Sequence, residues 1–361
     1  MKEDRRLRRI EMASQRMTVL FLAILTLIAL GMVLRSGRGV VLPLLLAMLL
    51  SNIFVPFVRR TKARGIPPIL TISVILSLFV GICLLAVLSI NARVVALAQA
   101  FPRYYARLLS LVQSLANDFD LPVHFWEGLN LGDKAAAYLL NLSGSAVSLL
   151  SNLVLVIIFM VFILLGSPYF TYKLRKAFSL SGAERIDHII DGISSQISRY
   201  LLTQTLISAG TGLMVWFFLA FFVGVDFPIT WGLLAFFLNF IPTIGSIVAS
   251  MPPILFALVQ FYPDWGPFVT ASLGLLLIQF VMGNLLTPKL MGDRLNLSPV
   301  VVLISLLLWG WLWGVAGALL SVPITAVVKI ICENVEALTP LSALMGSGRS
   351  YQREFEKDAP S

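Results

Sequence analysis

The sequence predicts an all-α integral membrane protein with about six full transmembrane helices plus two inverted hairpins broken by proline and glycine; eight conventional transmembrane helices are the alternative. Three observations carry this. Of 361 residues, 58% are hydrophobic and 12% charged, whereas ordinary soluble domains are roughly a quarter charged. The chain therefore lacks the polar material to cover a water-soluble globule, and its mean hydropathy is +0.91. Its apolar residues gather into stretches that match a bilayer, whose core of about 30 Å takes about 20 helical residues to cross. Two stretches exceed a single crossing and carry Gly/Pro interruptions. The same composition excludes disordered, fibrous and disulfide-rich secreted classes. A net charge of +9 sits in short basic runs beside apolar stretches, where it acts as a topology signal, so no nucleic-acid partner is expected.

The apolar stretches fall at about 17–34, 39–58, 66–90, 146–165, 205–225, 229–260, 268–288 and 299–331. The first superficially resembles a secretory signal. It is long for one, has no small-residue cleavage site before Arg35-Ser36-Gly37-Arg38, and leads directly into another apolar run, so it reads as a span. Lys2, Arg5, Arg6, Arg8, Arg9 and Arg16 place the N-terminus in the cytoplasm, and Arg59-Arg60-Thr61-Lys62-Ala63-Arg64, two spans later, gives the same side. Residues 1–90 thus form a basic cytoplasmic N-terminus and the first three spans. Residues 91–145 are delivered outside, where Arg93, Arg103, Arg107 and Lys134 balance Asp118, Asp120, Glu127 and Asp133. The spacing of Leu97, Tyr104, Tyr105, Leu108, Leu111, Val112 and Leu115 predicts amphipathic helices there, with apolar faces that permit a homo-oligomer. Residues 146–204 hold the fourth span and a cytoplasmic amphipathic helix marked by Ile186, Ile189, Ile190, Ile193, Ile197 and Leu201. Residues 205–331 form a transport core and 332–361 a cytoplasmic tail. Cys83 and Cys332 have no disulfide or zinc spacing.

Within the core, residues 228–253 and 299–323 repeat each other without a gap: Pro228 aligns with Pro299, Ser250 with Ser321 and Pro252 with Pro323. Each follows a more regular span, so each repeat holds one crossing and one hairpin, and successive repeats are inverted. Loop charges agree. The first hairpin opens outside beside Asp226 and the loop 261–267, and the second opens inside beside Lys289, Arg294 and Lys329. Eight plain spans would instead put Lys289 and Arg294 outside.

Broken backbone at membrane depth is tolerated only where protein or a wet cavity satisfies the freed N–H and C=O groups. A pair of such breaks in corresponding halves points to a transporter's binding site. The candidate substrate-binding residues are therefore Asn239, Pro242, Thr243, Gly245 and Ser246 at the first break, Gly314 and Gly317 at the second, and Gln279 and Asn284 on the seventh stretch. Pro242 removes a helical hydrogen bond and Gly245 lets the chain turn. Asn239, Thr243 and Ser246 offer neutral hydrogen bonds suited to a small polar solute. A blander reading has the glycines only packing helices and Gln279, Asn284 and Thr287 only bonding between helices. Trp309, Trp311 and Trp313 either line a cavity or anchor the interface, Lys289 snorkels, and Glu333 and Glu336 beside Lys329 form a solvated face. No deep carboxylate pair emerges to relay protons, which weakens monovalent cation/proton antiport as the alternative. The chain lacks G-x-S-x-G, H-E-x-x-H and a P-loop, and His124 and His188 fall on opposite sides of the membrane. No catalytic residue, metal or cofactor is expected.

At these residues the chain resembles the autoinducer-2 exporter (AI-2E) family of bacterial inner-membrane transporters. The similar segments are Arg199-Tyr200-Leu201-Leu202-Thr203-Gln204, the run from Asn239 through Pro242 to Gly245, the run from Asn284 through Pro288 to Gly292, and the run from Trp313 through Gly317 to Pro323. Thr203 stands where many relatives have glycine, and Gly166-Ser167-Pro168 where an acidic residue is frequent. The resemblance implies export of a small polar solute, an AI-2-like signalling molecule, with cation/proton exchange as the family's other activity. A non-transporting membrane scaffold is the reading of a different class.

Overall fold

The computed structural model describes residues 2–118, 137, 146–177, 180–242, 244–291 and 296–348. Thr243, His124, Lys134, Arg294 and the tail beyond 348 lie outside the described residues. These form helices and no strand: α1 (Lys2–Ser36), α2 (Arg38–Ala63), α3 (Pro68–Asp118), α4 (Ala146–Ala177), α5 (Leu180–Phe218), α6 (Pro228–Leu238), α7 (Ile244–Phe261), α8 (Gly266–Phe280), α9 (Thr287–Met291), α10 (Pro299–Trp313), α11 (Val315–Asn334) and α12 (Thr339–Met345). A π-helical turn, Leu219–Val223, continues α5, and another, Val281–Leu286, joins α8 to α9. Among the described residues seven helical stretches are long and apolar enough to cross a membrane. Their outward faces carry residues such as Leu85, Leu206 and Phe221, each about 70% exposed, a surface that only lipid accommodates. The protein is an all-α, multi-pass membrane protein.

One element runs further than the sequence suggested. The third span was expected to end near residue 90, but α3 continues to Asp118 over 51 residues, about 76 Å at the helical rise. Nothing near residue 90 stops it: Asn91-Ala92-Arg93 is polar but helix-compatible, and Pro102 is absorbed within the helix. The amphipathic lead runs into the fifth span, as its spacing suggested, within the 39-residue α5.

Both long apolar stretches fold back on themselves. The first breaks after Leu238 to give the pair α6 and α7, and its two ends meet: Asp226 N–H donates to Gln260 Oε1 at 2.8 Å, and Gln260 Nε2 donates to Gly224 C=O at 3.1 Å. With 11 residues, α6 is about 16 Å long, roughly half a hydrocarbon core. The second breaks at Gly314, whose φ of 67° and ψ of −143° are accessible to glycine alone, giving α10 and α11. The chain beyond α11 returns to its start, where Ser298 N–H donates to Met345 C=O of α12 at 2.9 Å. Proline opens both α6 and α10 at their first helical position, where its missing N–H costs nothing. Gly212 of α5 and Gly232 of α6 let these helices touch: a Cβ on either would lie 2.7 Å from the other's carbonyl oxygen.

The C-terminal part of α3 is tied to the open end of the first hairpin. Tyr104 donates its phenolic proton to Asp226, Arg107 donates to Gln260 C=O at 3.3 Å, and the Ser114 and Tyr262 hydroxyls lie 3.0 Å apart. Tyr104 also packs against the Phe256 ring of α7.

Candidate functional site

The site is built on a polar stripe in an apolar helix. Tyr200, Thr203, Gln204 and Ser208 recur at helical spacing on α5, so they share a face. Gln204 and Ser208 are buried, and that face meets the tip of the first hairpin. Pro242 cannot continue α6, which leaves the last carbonyls of that helix without helical donors. Gln204 supplies one: its Nε2 donates to Asn239 C=O at 2.7 Å. Asn239 Nδ2 in turn donates to Ser208 Oγ at 3.0 Å. The chain then turns tightly, with Gly245 N–H donating to Ile241 C=O at 3.1 Å. A Cβ at Gly245 would lie 1.8 Å from Leu238 O, so only glycine lets α7 start this close beneath α6.

Across from this tip stand Gln279 of α8, Gly283 and Asn284 of the π-helical turn, and Thr287 of α9. A π turn widens the helix and redirects its side chains, a device frequent at functional sites. Thr287 Oγ1 donates to Met282 C=O at 2.7 Å, and no atom approaches within 4 Å of where a Gly283 Cβ would be. The remaining wall comes from the open end of the second hairpin: Asn296, Leu297, Val302 and Val322, with Ser347 from the chain after α12. Together these line a half-open cavity of about 600 Å³, within the range of sites for small molecules. Its described lining is amide, hydroxyl and apolar, with no Asp, Glu, Lys or Arg. Among the described residues no three His, Cys, Asp or Glu side chains converge on a metal-sized site.

Of the candidates read from the sequence, Asn239, Pro242, Ser246, Gln279 and Asn284 line this cavity, together with Thr287. Gly245 shapes the tip behind it. Gly314 and Gly317 lie elsewhere, at the tip of the second hairpin and outside the cavity's lining. That tip packs on the first two helices instead. Trp313 is buried and its Nε1 donates to Leu34 C=O at 3.0 Å, Trp311 lies under the Arg35 guanidinium, and a Cβ at Gly317 would fall 1.9 Å from Trp309 O. Trp311 and Trp313 therefore anchor that tip, and the two breaks do not meet in one place. Glu333 and Glu336 are exposed, as expected, and Lys329 beside them is 4% exposed and pairs with Glu333 at 2.6 Å. Its position on the packed side of α11, which is buried from Leu320 through Ala326, accounts for this. Tyr200, Thr203, Gln204, Asn296 and Ser347 join the cavity without having been singled out as ligands. The polar stripe on α5 was visible in the sequence; the other two come together only through the fold.

Residues 20–337 match the profile of the AI-2E family transporter. A putative transport protein of Borreliella burgdorferi is 31% identical over 329 residues, 91% of this chain and 90% of that one. The AI-2 transport protein TqsA of Escherichia coli is 33% identical over 339 residues, covering 91% and 94%. The putative transport protein YhhT of Escherichia coli is 33% identical over 344 residues, covering 93% and 95%. With broken hairpins around a polar cavity, a family match from the first span to beyond the last, and relatives aligned nearly end to end, the chain belongs to the AI-2E family of transport proteins.

Proposed function

We propose that the protein is a secondary transporter that exports a small, polar, uncharged solute, an AI-2-like polyol, by alternating access at the first hairpin. The observation that carries this is the cavity of about 600 Å³ lined by Gln204, Asn239, Gln279 and Asn284 without a charged side chain among its described residues. Primary amides each offer two donors and an acceptor, which suits a solute bearing several hydroxyls. A relative named for AI-2 transport aligns over the same length. Monovalent cation/proton exchange, the competing activity, calls for a carboxylate that alternates between cation and proton, and none is among the described lining.

Several features support the transport cycle. The tip of the first hairpin shares the cavity with the open end of the second, as two repeats of opposite orientation would arrange. The basic runs at the start of α1 and at the end of α2 support a cytoplasmic side for both in a bacterial inner membrane. The tip is held to α5 by two neutral hydrogen bonds, modest enough to be exchanged in a cycle.

Efflux of an AI-2-type polyol from proteoliposomes is the direct test, with Na⁺ and H⁺ flux measured in parallel. Asn239→Ala and Gln279→Leu each remove hydrogen-bonding groups and are expected to cut polyol flux about tenfold without creating cation flux. Polyol flux equal to the parent in both variants would remove the site, and cation-coupled proton flux in the parent would favour the exchanger.

A further inference from the structure

The chain after α11 does not leave the molecule. It makes a short 3₁₀ turn, Glu336–Leu338, and the amphipathic α12, then returns to the segment that opens the second hairpin. There Leu297 and Gly346 form an isolated antiparallel bridge. Ser298 N–H donates to Met345 C=O at 2.9 Å, and Ser347 N–H donates to Asn296 C=O at 3.2 Å and to Asn296 Oδ1 at 3.1 Å. Asn296, Leu297 and Ser347 are also cavity wall. The same three residues therefore hold the strap in place and border the solute cavity.

We propose that residues 339–348 are a strap with a releasable tip, residues 346–348, and that the tip's detachment from residues 296–298 governs access to the cavity from this end. The pairing of its tip with that segment is short and is carried by the backbone N–H groups of Ser298 and Ser347. The helix that carries the tip is suited to holding its own position meanwhile: Leu341 and Leu344 are 48% and 78% exposed on α12, an apolar face suited to a membrane surface, while Ser342 is buried. A pivot at α12 and a tip held by backbone pairing describe a part that swings. Because residues 296–298 lead straight into α10, release of the strap also frees the start of the second hairpin.

The inference rests on the reading of the cavity as the solute site, so its test follows access to the cavity and not transport. In the full chain with Cys83→Ser and Cys332→Ala, Gln279→Cys reports access through its rate of alkylation by a hydrophilic maleimide in detergent, read by peptide mass at residue 279. Leu297→Cys with Gly346→Cys locks the strap: bridge partners in an antiparallel pair have Cα atoms about 4.5–5.5 Å apart, within disulfide range. Access through a state populated at a few per cent is lost when that state is forbidden, so oxidation is expected to slow labelling about tenfold and reductant to restore it. Ser347→Pro, which removes the N–H that Asn296 accepts, is expected to speed labelling, and Asn296→Ala to do so less. A locked protein labelled as fast as the reduced one overturns the proposal, as does a Ser347→Pro variant no faster than its parent. Polyol flux that fails in every variant while labelling follows this pattern would refute the transport reading and leave the strap intact.

Discussion

At the scale of single residues, the bond from Gln204 to Asn239 C=O decides how the first break is tolerated. A helix that stops inside the membrane leaves carbonyls facing a medium that cannot solvate them, and Gln204, 7% exposed, covers one. Gln204→Leu strands that carbonyl and is expected to cost about 1–3 kcal/mol of stability, whereas Thr203→Val beside it should change stability by less than about 0.5 kcal/mol. Thermal and denaturant unfolding in detergent measures both, and equal losses would show that Gln204 acts through bulk alone. Asn239 was legible as a site residue because a polar amide beside Pro242 in an apolar stretch is conspicuous. Its partner was less so, because a glutamine inside a long span is equally a bond between helices, and only the fold shows which helix it meets.

At the scale of elements, the two breaks look alike in sequence and differ in use. Proline and glycine punctuation correctly located both turns, since the physics of an interrupted helix is local. Where each tip ends up is not local. The first faces α5 and the π-helical turn after α8, and the second is sealed by Trp313 against α1 and α2. Gly314 is thus a hinge of shape, held at φ 67°. Gly314→Ala should lower stability by about 1–3 kcal/mol while solute affinity in the surviving folded fraction stays that of the parent, a combination that calorimetry with unfolding measurements resolves. An affinity lost in proportion to stability would place this tip at the solute after all. The length of α3 was hidden for the opposite reason: helix propensity continues across residue 90 while hydropathy falls, and hydropathy alone suggests a border.

For the molecule as a whole, charge in the loops remains the guide to orientation. In a chain with Cys83→Ser and Cys332→Ala, single cysteines replacing Asp264 and Arg294 should label from opposite sides of the membrane, the first outside and the second inside. Inside labelling of 264 with outside labelling of 294 would require eight plain crossings in their place. Fold class was readable from composition because lipid imposes so strict a limit on charge, and family from a few short motifs. The cavity's composition was readable only in half, since residues from both hairpins and from the chain after α12 are far apart in the sequence and meet through tertiary packing alone.

The tie between α3 and the first hairpin bears on tempo. Tyr104, Arg107 and Ser114 grip the hairpin at residues 226, 260 and 262, at its open end and away from the cavity-lining tip. A mooring there leaves the far end as the part free to sway, and any larger excursion of the hairpin must first slip that mooring. The pace of the cycle would then be set at the outer rim, by side chains that never meet the cargo, and relatives with the same cavity could run at different speeds through changes in α3 alone.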